Sequence, residues 1–303
     1  MHAREPDRQG YVERDGVRVA WKEYGETARP EDPAVLLLPT WCIVTSDIWK
    51  LQVPFLSRRT RVITFDPRGN GRSDRPEDVA QYTREQLTGD ALAVLDRTDT
   101  RRAMVVALSR GNEEALDLAG EHPERVVAWV AISPSIGGLG RHYAARARAF
   151  AEWEQDHGDD DGWGRYNRFS WVRDYSGFLD FFFHQLVPEA HSTKLIEDLL
   201  GWGSMTDGIT LGRAEVSRVP GPRSVEERCA GVRCPVVVVH GTQDNALPRD
   251  HGARLAELTG GTMVTFEGSG HVPLGRDPVA VNRLLDEVLA AATRTPTISP
   301  SRG

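Results

Sequence analysis

Short apolar stretches rich in β-branched residues alternate with helical patterns, and this alternation limits the possible folds more than any other feature. Strands alternating with helices predict a mostly parallel sheet with helices covering both faces. A hairpin around Asp15-Gly16 precedes this pattern. The predicted strands are Ala34–Leu38, Arg61–Phe65, Ala103–Leu108, Val127–Ser133, Pro235–Gly241 and Thr262–Phe266, and the helices between them include Asp47–Arg58, Thr83–Asp96 and Asn112–His122.

The alternation stops after Pro134 and resumes only at Pro235. A chain of 303 residues is long enough for a core with an inserted lobe. We therefore expect residues 1–134 and 232–303 to form the core and residues 135–231 to form an inserted helical lid. Residues 294–303 are rich in Pro, Ser and Thr and are expected to be a disordered tail. The helical patterns of the interval are Arg141–Gln155, Phe178–Leu186 and Thr193–Leu200.

A single serine, Ser109, stands where one predicted strand ends and the next helix begins. Ala107 and Gly111 flank it, as a tight turn requires small neighbours. A serine hydroxyl is a poor nucleophile that needs exposure, a base and donors for the oxyanion. A sharp strand-to-helix turn supplies the exposure and presents the Arg110 N–H. Taken alone, these residues also fit a chance serine in a βα turn.

Two residues further along the chain favour the catalytic interpretation. Asp244 follows the strand Pro235–Gly241, and His271 follows the strand Thr262–Phe266. A lone aspartate can cap a turn, and a lone histidine can be a loop residue. The order Ser109, Asp244, His271, with acid and histidine each just beyond a strand end, instead predicts a catalytic triad.

With these motifs, the sequence resembles the α/β-hydrolase superfamily over nearly its whole length. Residues Phe65–Asp74 are similar to that family's Asp-x-Arg-Gly-x-Gly-x-Ser loop. The resemblance implies an α/β-hydrolase fold in which the backbone N–H groups of Trp41 and Arg110 form the oxyanion hole. Pro39-Thr40-Trp41 departs from the familiar His-Gly-aromatic and is similar to haloalkane dehalogenases. Those enzymes use an aspartate nucleophile, so Ser109 argues against dehalogenase or epoxide-hydrolase chemistry.

A narrower resemblance covers Trp163 to Leu211. The segments Tyr166-Asn167-Arg168 and Asp174–Phe183 are similar to sequences of an actinobacterial-type subgroup of this superfamily. Members of that subgroup also occur joined to nucleotide-cyclase domains. The resemblance to this subgroup does not identify a substrate.

The predicted lid is dense in large aromatic side chains. These rings can simply pack the core of the lobe, but a lid over the strand ends must present one face to the pocket. Cys42, next to the oxyanion loop, can equally be a small core residue. The substrate-binding candidates are Thr40, Cys42, Trp163, Trp171, Tyr175, Phe178 and Phe182.

Composition excludes several other classes of function. The net charge of −7 does not suit binding to nucleic acid, which requires a basic surface. No apolar run is long enough for a membrane helix. Three cysteines and a polar start favour a cytoplasmic protein without a disulfide framework. No Cys/His cluster has zinc spacing, and no nucleotide-binding loop follows a strand. We therefore expect neither a metal nor an organic cofactor.

The sequence predicts a serine hydrolase. The resemblance implies an ester, a thioester or an activated C–C bond as target, cleaved through an acyl-enzyme, and the aromatic lid favours a small apolar or aromatic acyl substrate. Two alternatives remain open, because one fold hosts many activities. The first is a lyase, cyclase or acyltransferase of specialised metabolism on the same triad, and the second is a ligand receptor with a vestigial triad.

Overall fold

Eight strands form one sheet in the computed structural model, which describes residues 4–29, 32–156, 158, 161–218 and 221–294. Their spatial order is β1-β2-β4-β3-β5-β6-β7-β8. The β1–β2 and β2–β4 pairs are antiparallel, and all other pairs are parallel. The strands are β1 (Arg8–Arg14), β2 (Val17–Tyr24), β3 (Ala34–Leu37), β4 (Val62–Phe65), β5 (Ala103–Leu108), β6 (Val126–Ile132), β7 (Val236–Gly241) and β8 (Thr262–Phe266).

Helices lie in each connection from β3 to β8 and after β8, and six of the described helices (α4 to α9) fall between β6 and β7. Short 3₁₀ turns occupy Ser46–Trp49, Val79–Tyr82 and Gly162–Arg165. The helices are α1 (Val53–Leu56), α2 (Arg84–Arg97), α3 (Gly111–Glu121), α4 (Ala144–Ala151), α5 (Arg168–Arg173), α6 (Tyr175–Leu186), α7 (Thr193–Gly203), α8 (Gly208–Val216), α9 (Val225–Cys229), α10 (Asp250–Thr259), α11 (Pro273–Arg276) and α12 (Pro278–Arg294).

The central strand β5 shows why the sheet is covered on both faces. All six of its residues are buried, and successive side chains point to opposite faces. Met104, Val106 and Leu108 belong to one apolar cluster, which α12 and the rings of the helical interval complete. The intervening residues of β5 belong to a second cluster, which α2, α3 and α10 complete. The predicted mostly parallel sheet with helices on both faces is therefore confirmed.

The predicted helix Asp47–Arg58 is wrong in its extent. The chain instead forms the 3₁₀ turn Ser46–Trp49 and then the one-turn helix α1. Pro54 lies inside the predicted helix, and it has no N–H to donate to the carbonyl four residues earlier. A single helix across this segment would therefore lose a backbone hydrogen bond at Pro54.

The carboxyl-terminal helix α12 includes Arg294, which the sequence analysis assigned to a disordered tail. That boundary is wrong by one residue, because the helix packs buried leucines of its inner face against the sheet as far as its last turns. Residues 295–303 of the predicted tail lie outside the described residues. At 17 residues, α12 is the longest described helix. No described helix combines the length and the apolar character needed to cross a lipid bilayer.

Candidate active site

Ser109 occupies the turn between β5 and α3 with a positive φ of 52°. This conformation is strained for a residue with a side chain, so the surrounding structure must enforce it. The Ser109 N–H donates to the carbonyl of Ile132 at 2.9 Å. The Ser109 carbonyl accepts from the N–H groups of Asn112 and Ser135 at 3.2 and 3.0 Å. These bonds fix the serine backbone at the carboxyl end of the strand.

Asn112 holds the same turn from inside, and the sequence analysis did not identify it. The side chain is fully buried, and its Nδ2 lies 3.3, 2.9 and 3.2 Å from the carbonyl oxygens of Ala107, Ser109 and Ile132. Its Oδ1 accepts from Trp129 Nε1 at 3.2 Å. A short polar side chain in the first turn of α3 was the available signal, because such residues bond to nearby backbone.

Trp41 and Arg110 are the residues predicted to supply the backbone N–H groups of an oxyanion hole. In the described part of the chain, no hydrogen bond uses the N–H of Trp41 or the N–H of Arg110. Both residues line the same small cavity as Ser109. A Cβ at Gly111 would lie 2.3 Å from the Pro39 carbonyl oxygen, so only glycine lets α3 approach the oxyanion loop this closely.

The Asp244 carboxylate is buried, and it lies 2.7 Å through Oδ2 from His271 Nδ1. Its Oδ1 accepts from the N–H groups of Ala246 and Leu247, both at 2.9 Å. Burial alone would favour the neutral acid, but His271 and His240 outweigh it and lower the pKa of Asp244. The carboxylate is thus ionised and held in one orientation against the imidazole.

His240, at the end of β7, is a second histidine on the same carboxylate. It is fully buried, and its Nε2 lies 3.1 Å from Asp244 Oδ2 and 3.2 Å from the Leu247 carbonyl oxygen. The sequence analysis did not identify this residue. The sequence shows only that this histidine lies at the end of a buried strand, four residues before Asp244. That position does not indicate where the ring points.

Ser109 and His271 both line one cavity of about 30 Å³. Among the hydrogen bonds of the described residues, none joins the two side chains, so the shared cavity is what associates them. Catalytic hydrogen bonds are often long in unliganded enzymes. The rest of the lining is mainly apolar and includes Phe182, Phe183 and Leu186 of α6.

Two of the seven predicted substrate-binding residues, Thr40 and Phe182, line this cavity. The others are absent from its described lining. Trp171 and Phe178 are buried in the ring cluster of the helical interval with their ring centres 4.6 Å apart. Tyr175 donates from its hydroxyl to the Gly203 carbonyl at 3.2 Å. Trp163 packs edge-on against Phe181, and Cys42 is a buried free thiol.

The Arg110 side chain forms a wall of the cavity. Its guanidinium lies 3.8 Å from the centre of the Trp41 ring, and it contacts the Tyr166 hydroxyl at 2.7 Å and Glu215 at 2.6 Å. Burial disfavours the charge, but Glu215 and Tyr166 more than compensate and raise the pKa of Arg110. Beyond this wall lies a larger cavity of about 1220 Å³, whose described lining includes Trp41 and Arg110 but neither Ser109 nor His271.

Among the residues that the structure describes, no group of three or more His, Cys, Asp and Glu side chains is placed to hold a metal ion.

A family model described as the Alpha/beta hydrolase family matches residues 35–284. The 2-hydroxymuconate semialdehyde hydrolase of Pseudomonas sp. (strain CF600) is 29% identical over 234 residues, covering 74% of this chain and 74% of that protein. The rhodomycin D methylesterase DauP of Streptomyces sp. (strain C5) is 27% identical over 272 residues, covering 78% of this chain and 82% of that protein. The solved structure of Est816, described as an N-acyl homoserine lactone degrading enzyme, is 25% identical in sequence and has a TM-score of 0.73. The match covers 92% of this chain and 99% of the Est816 chain.

Proposed function

The chain belongs to the alpha/beta hydrolase family and is a hydrolase, and on that premise we propose that it cleaves an ester or thioester through an acyl-enzyme on Ser109. Similarity to a methylesterase and to a lactone-degrading enzyme supports a carboxylic ester as the substrate class. The observation that carries the proposal is the 2.7 Å contact between Asp244 and His271, because His271 lines the same cavity as Ser109.

In the proposed reaction, the Ser109 hydroxyl attacks the acyl carbonyl while His271 Nε2 takes its proton. Asp244 holds the Nδ1–H tautomer and stabilises the imidazolium. The free N–H groups of Trp41 and Arg110 bind the oxygen on which negative charge develops. His271 then protonates the leaving group, and water activated by His271 releases the acyl group from Ser109.

We further propose that residues 135–231 act as a cap over this site. The His271 N–H donates to the Leu186 carbonyl at 2.8 Å, which ties the end of α6 to the histidine loop. A Cβ at Gly270 would lie 2.5 Å from Pro188 Cδ, so the two segments pack closely. With Phe182 and Phe183 in the cavity lining, this cap favours a small apolar or aromatic acyl group.

Two narrower assignments also remain proposals. The motifs between Trp163 and Leu211 support membership of the actinobacterial-type subgroup found joined to nucleotide-cyclase domains. The free thiols of Cys42, Cys229 and Cys234 support a cytoplasmic location, where thiols stay reduced.

Hydrolysis of an activated C–C bond on the same triad is the second candidate function. Similarity to a protein named 2-hydroxymuconate semialdehyde hydrolase favours it. Product analysis separates the two candidates, because ester hydrolysis releases an acid and an alcohol, whereas C–C hydrolysis releases an acid and a second fragment whose cleaved carbon gains a hydrogen. A lyase or an acyltransferase would likewise differ in its products.

Active-site labelling tests the proposed nucleophile. A fluorophosphonate should add one adduct to the peptide that contains Ser109 and none to the Ser109→Ala variant. Ser204→Ala is the matched control, because this serine lies on the surface and its hydroxyl donates to the Gly201 carbonyl of its own helix end. A receptor with an inactive triad would leave Ser109 unlabelled, and that outcome would overturn the proposal.

A further inference from the structure

Four arginine side chains are buried among the described residues, and Arg146 of α4 differs from the other three. Arg146 is 4% exposed, and no described carboxylate lies within ion-pair distance of it. Each of the others has at least one acidic partner, namely Arg68 with Asp90, Arg110 with Glu215, and Arg228 with Glu113 and Asp117. A buried cation without a counter-ion costs several kcal/mol and therefore calls for a specific explanation.

The protein contacts of the Arg146 guanidinium are weak substitutes for a carboxylate. Nη1 donates to the Ala246 carbonyl, and Nε is buried without any hydrogen-bond partner. The rings of Phe150 and Trp163 lie 5.2 and 5.7 Å away. Burial lowers the pKa of Arg146 to about 10, so the side chain remains charged at neutral pH. A positive charge is therefore held inside the protein with unused hydrogen-bonding capacity.

This charge is located at the catalytic cavity. Arg146 lines the same cavity as Ser109 and His271. The other residues of the proposed cap in the described lining, such as Phe183 and Leu199, are apolar. The described lining contains one other arginine, Arg110, and Glu215 neutralises that side chain. Asp244 is nearby but is already paired with His271. An anion entering the cavity would thus meet one uncompensated cation.

We propose that Arg146 binds a carboxylate of the substrate, so that the preferred substrate is an ester or thioester whose acyl part is a small apolar chain ending in a second, free carboxylate. The inference rests on the proposed function, because it assumes that the acyl group attached to Ser109 occupies this cavity. A guanidinium matches a planar carboxylate through parallel N–H groups. Apolar walls around it strengthen the attraction, because they exclude water from the pair.

A purely structural role for Arg146 gives a different expectation. Its partner Ala246 also donates its N–H to Asp244 Oδ1 at 2.9 Å. Arg146 could therefore act through Ala246, by holding the loop that orients the catalytic acid. Loss of that contact would slow the reaction of charged and neutral substrates alike, whereas loss of a carboxylate-binding group affects the charged substrate selectively.

Matched substrates separate these two roles. The ethyl monoesters of succinic, glutaric and adipic acids are compared in a pH-stat with neutral esters in which an isopropyl group replaces the free carboxylate. We expect wild-type protein to favour the charged ester of one chain length in kcat/KM. Arg146→Met should lower the charged-to-neutral ratio about 10- to 100-fold, the range for a hydrogen bond to a charged group. Arg146→Lys should restore part of the ratio, because it keeps the charge.

Arg228→Met is the matched control, because Arg228 is also buried but is paired with Glu113 and Asp117, and it appears in the described lining of the larger cavity and not of the smaller one. It should reduce stability and leave the charged-to-neutral ratio unchanged. An equal fall for both esters in Arg146→Met, with no change in their ratio, would overturn the proposal in favour of the structural role.

Binding without turnover tests Arg146 independently of the proposed chemistry. Glutarate and succinate should raise the unfolding temperature of the Ser109→Ala variant, and Arg146→Lys or Arg146→Met in that background should weaken the effect. Failure of the wild type to hydrolyse any ester would contradict the proposed function, while this binding experiment would still decide the role of Arg146. Absence of carboxylate binding, or binding that is unaffected by both Arg146 variants, would overturn the inference.

Discussion

His240 Nε2 lies 3.1 Å from Asp244 Oδ2, the oxygen that also contacts His271. The same nitrogen bonds to the Leu247 carbonyl, so it faces two acceptors and must carry the proton. His240 Nδ1 is buried without a partner, beside Gly252 of α10, where an added Cβ would lie 2.9 Å from it. His240 therefore donates through Nε2 towards the acid of the proposed triad.

Replacing His240 should slow catalysis through Asp244. His240→Leu removes the donor, and we expect kcat to fall about 10-fold, as one lost hydrogen bond implies, with KM nearly unchanged. His240→Gln should recover part of kcat, because its amide can still donate. Steady-state kinetics on a neutral ester measure both effects. A change confined to KM in His240→Leu would argue against a role for His240 in orienting the acid.

Asp244→Asn should lower kcat by about four orders of magnitude, because the amide favours the wrong imidazole tautomer. Asp286→Asn is a suitable control, since Asp286 lies on α12, forms a surface ion pair with Arg59, and is absent from the described lining of the cavity. Its turnover should match the wild type. Turnover of Asp244→Asn within tenfold of the wild type would remove Asp244 from the proposed triad.

Gly111→Ala should damage both stability and turnover. The new Cβ would lie 2.3 Å from the Pro39 carbonyl oxygen, so α3 and the oxyanion loop must separate. Gly201→Ala in α7 is the matched control, because open space surrounds it, and alanine there should be neutral or stabilise by about 0.5–1 kcal/mol. Urea unfolding and kcat measured on both variants check this contrast, which would disappear if the close approach were absent.

Stability should depend on pH through Glu114 of α3. Burial raises the pKa of Glu114 from 4.5 to about 8, and its Oε2 has no hydrogen-bond partner. Between these two pH values, the folded state binds more protons than the unfolded state, so the free energy of unfolding falls as pH rises. We expect a loss of roughly 2–4 kcal/mol across this window.

Glu114→Gln should remove most of that slope, because the amide does not ionise. The exposed Glu85 offers a control, since Glu85→Gln should leave the slope as it is in the wild type. Urea unfolding at several pH values gives both slopes. A free energy of unfolding that rises between pH 4.5 and 8 in the wild type, and equally in Glu114→Gln, would contradict the burial of this carboxyl.

The positions of Ser109, Asp244 and His271 at strand ends can be predicted from the sequence, because each follows an apolar run with a recognisable end. The parallel sheet follows from the same periodicity. The neighbours of these residues cannot be predicted in this way. Phe178 and Phe182 are one helical turn apart in α6, yet only Phe182 lines the cavity, because the position of the helix against the sheet decides which ring reaches it.

The sequence likewise does not show which charged or polar side chains are buried at the site. Arg146 lies in a segment with several arginines, and the sequence does not distinguish it from Arg148, which is exposed. Only the packing of α4 shows that Arg146 is buried beside Ser109 without a carboxylate partner in the described chain. The role of Asn112 is likewise decided by three carbonyl groups from different parts of the sheet.

The most direct test of the proposed function is ester turnover by the Ser109→Ala variant, measured alongside its unfolding transition. If Ser109 is the nucleophile, kcat should fall by a factor of about a million, because His271 then has no hydroxyl to deprotonate and no acyl-enzyme can form. The unfolding midpoint should stay close to that of the wild type, since the turn is held by backbone bonds and by Asn112. Near-normal hydrolysis of p-nitrophenyl acetate by a folded Ser109→Ala protein would contradict the assignment.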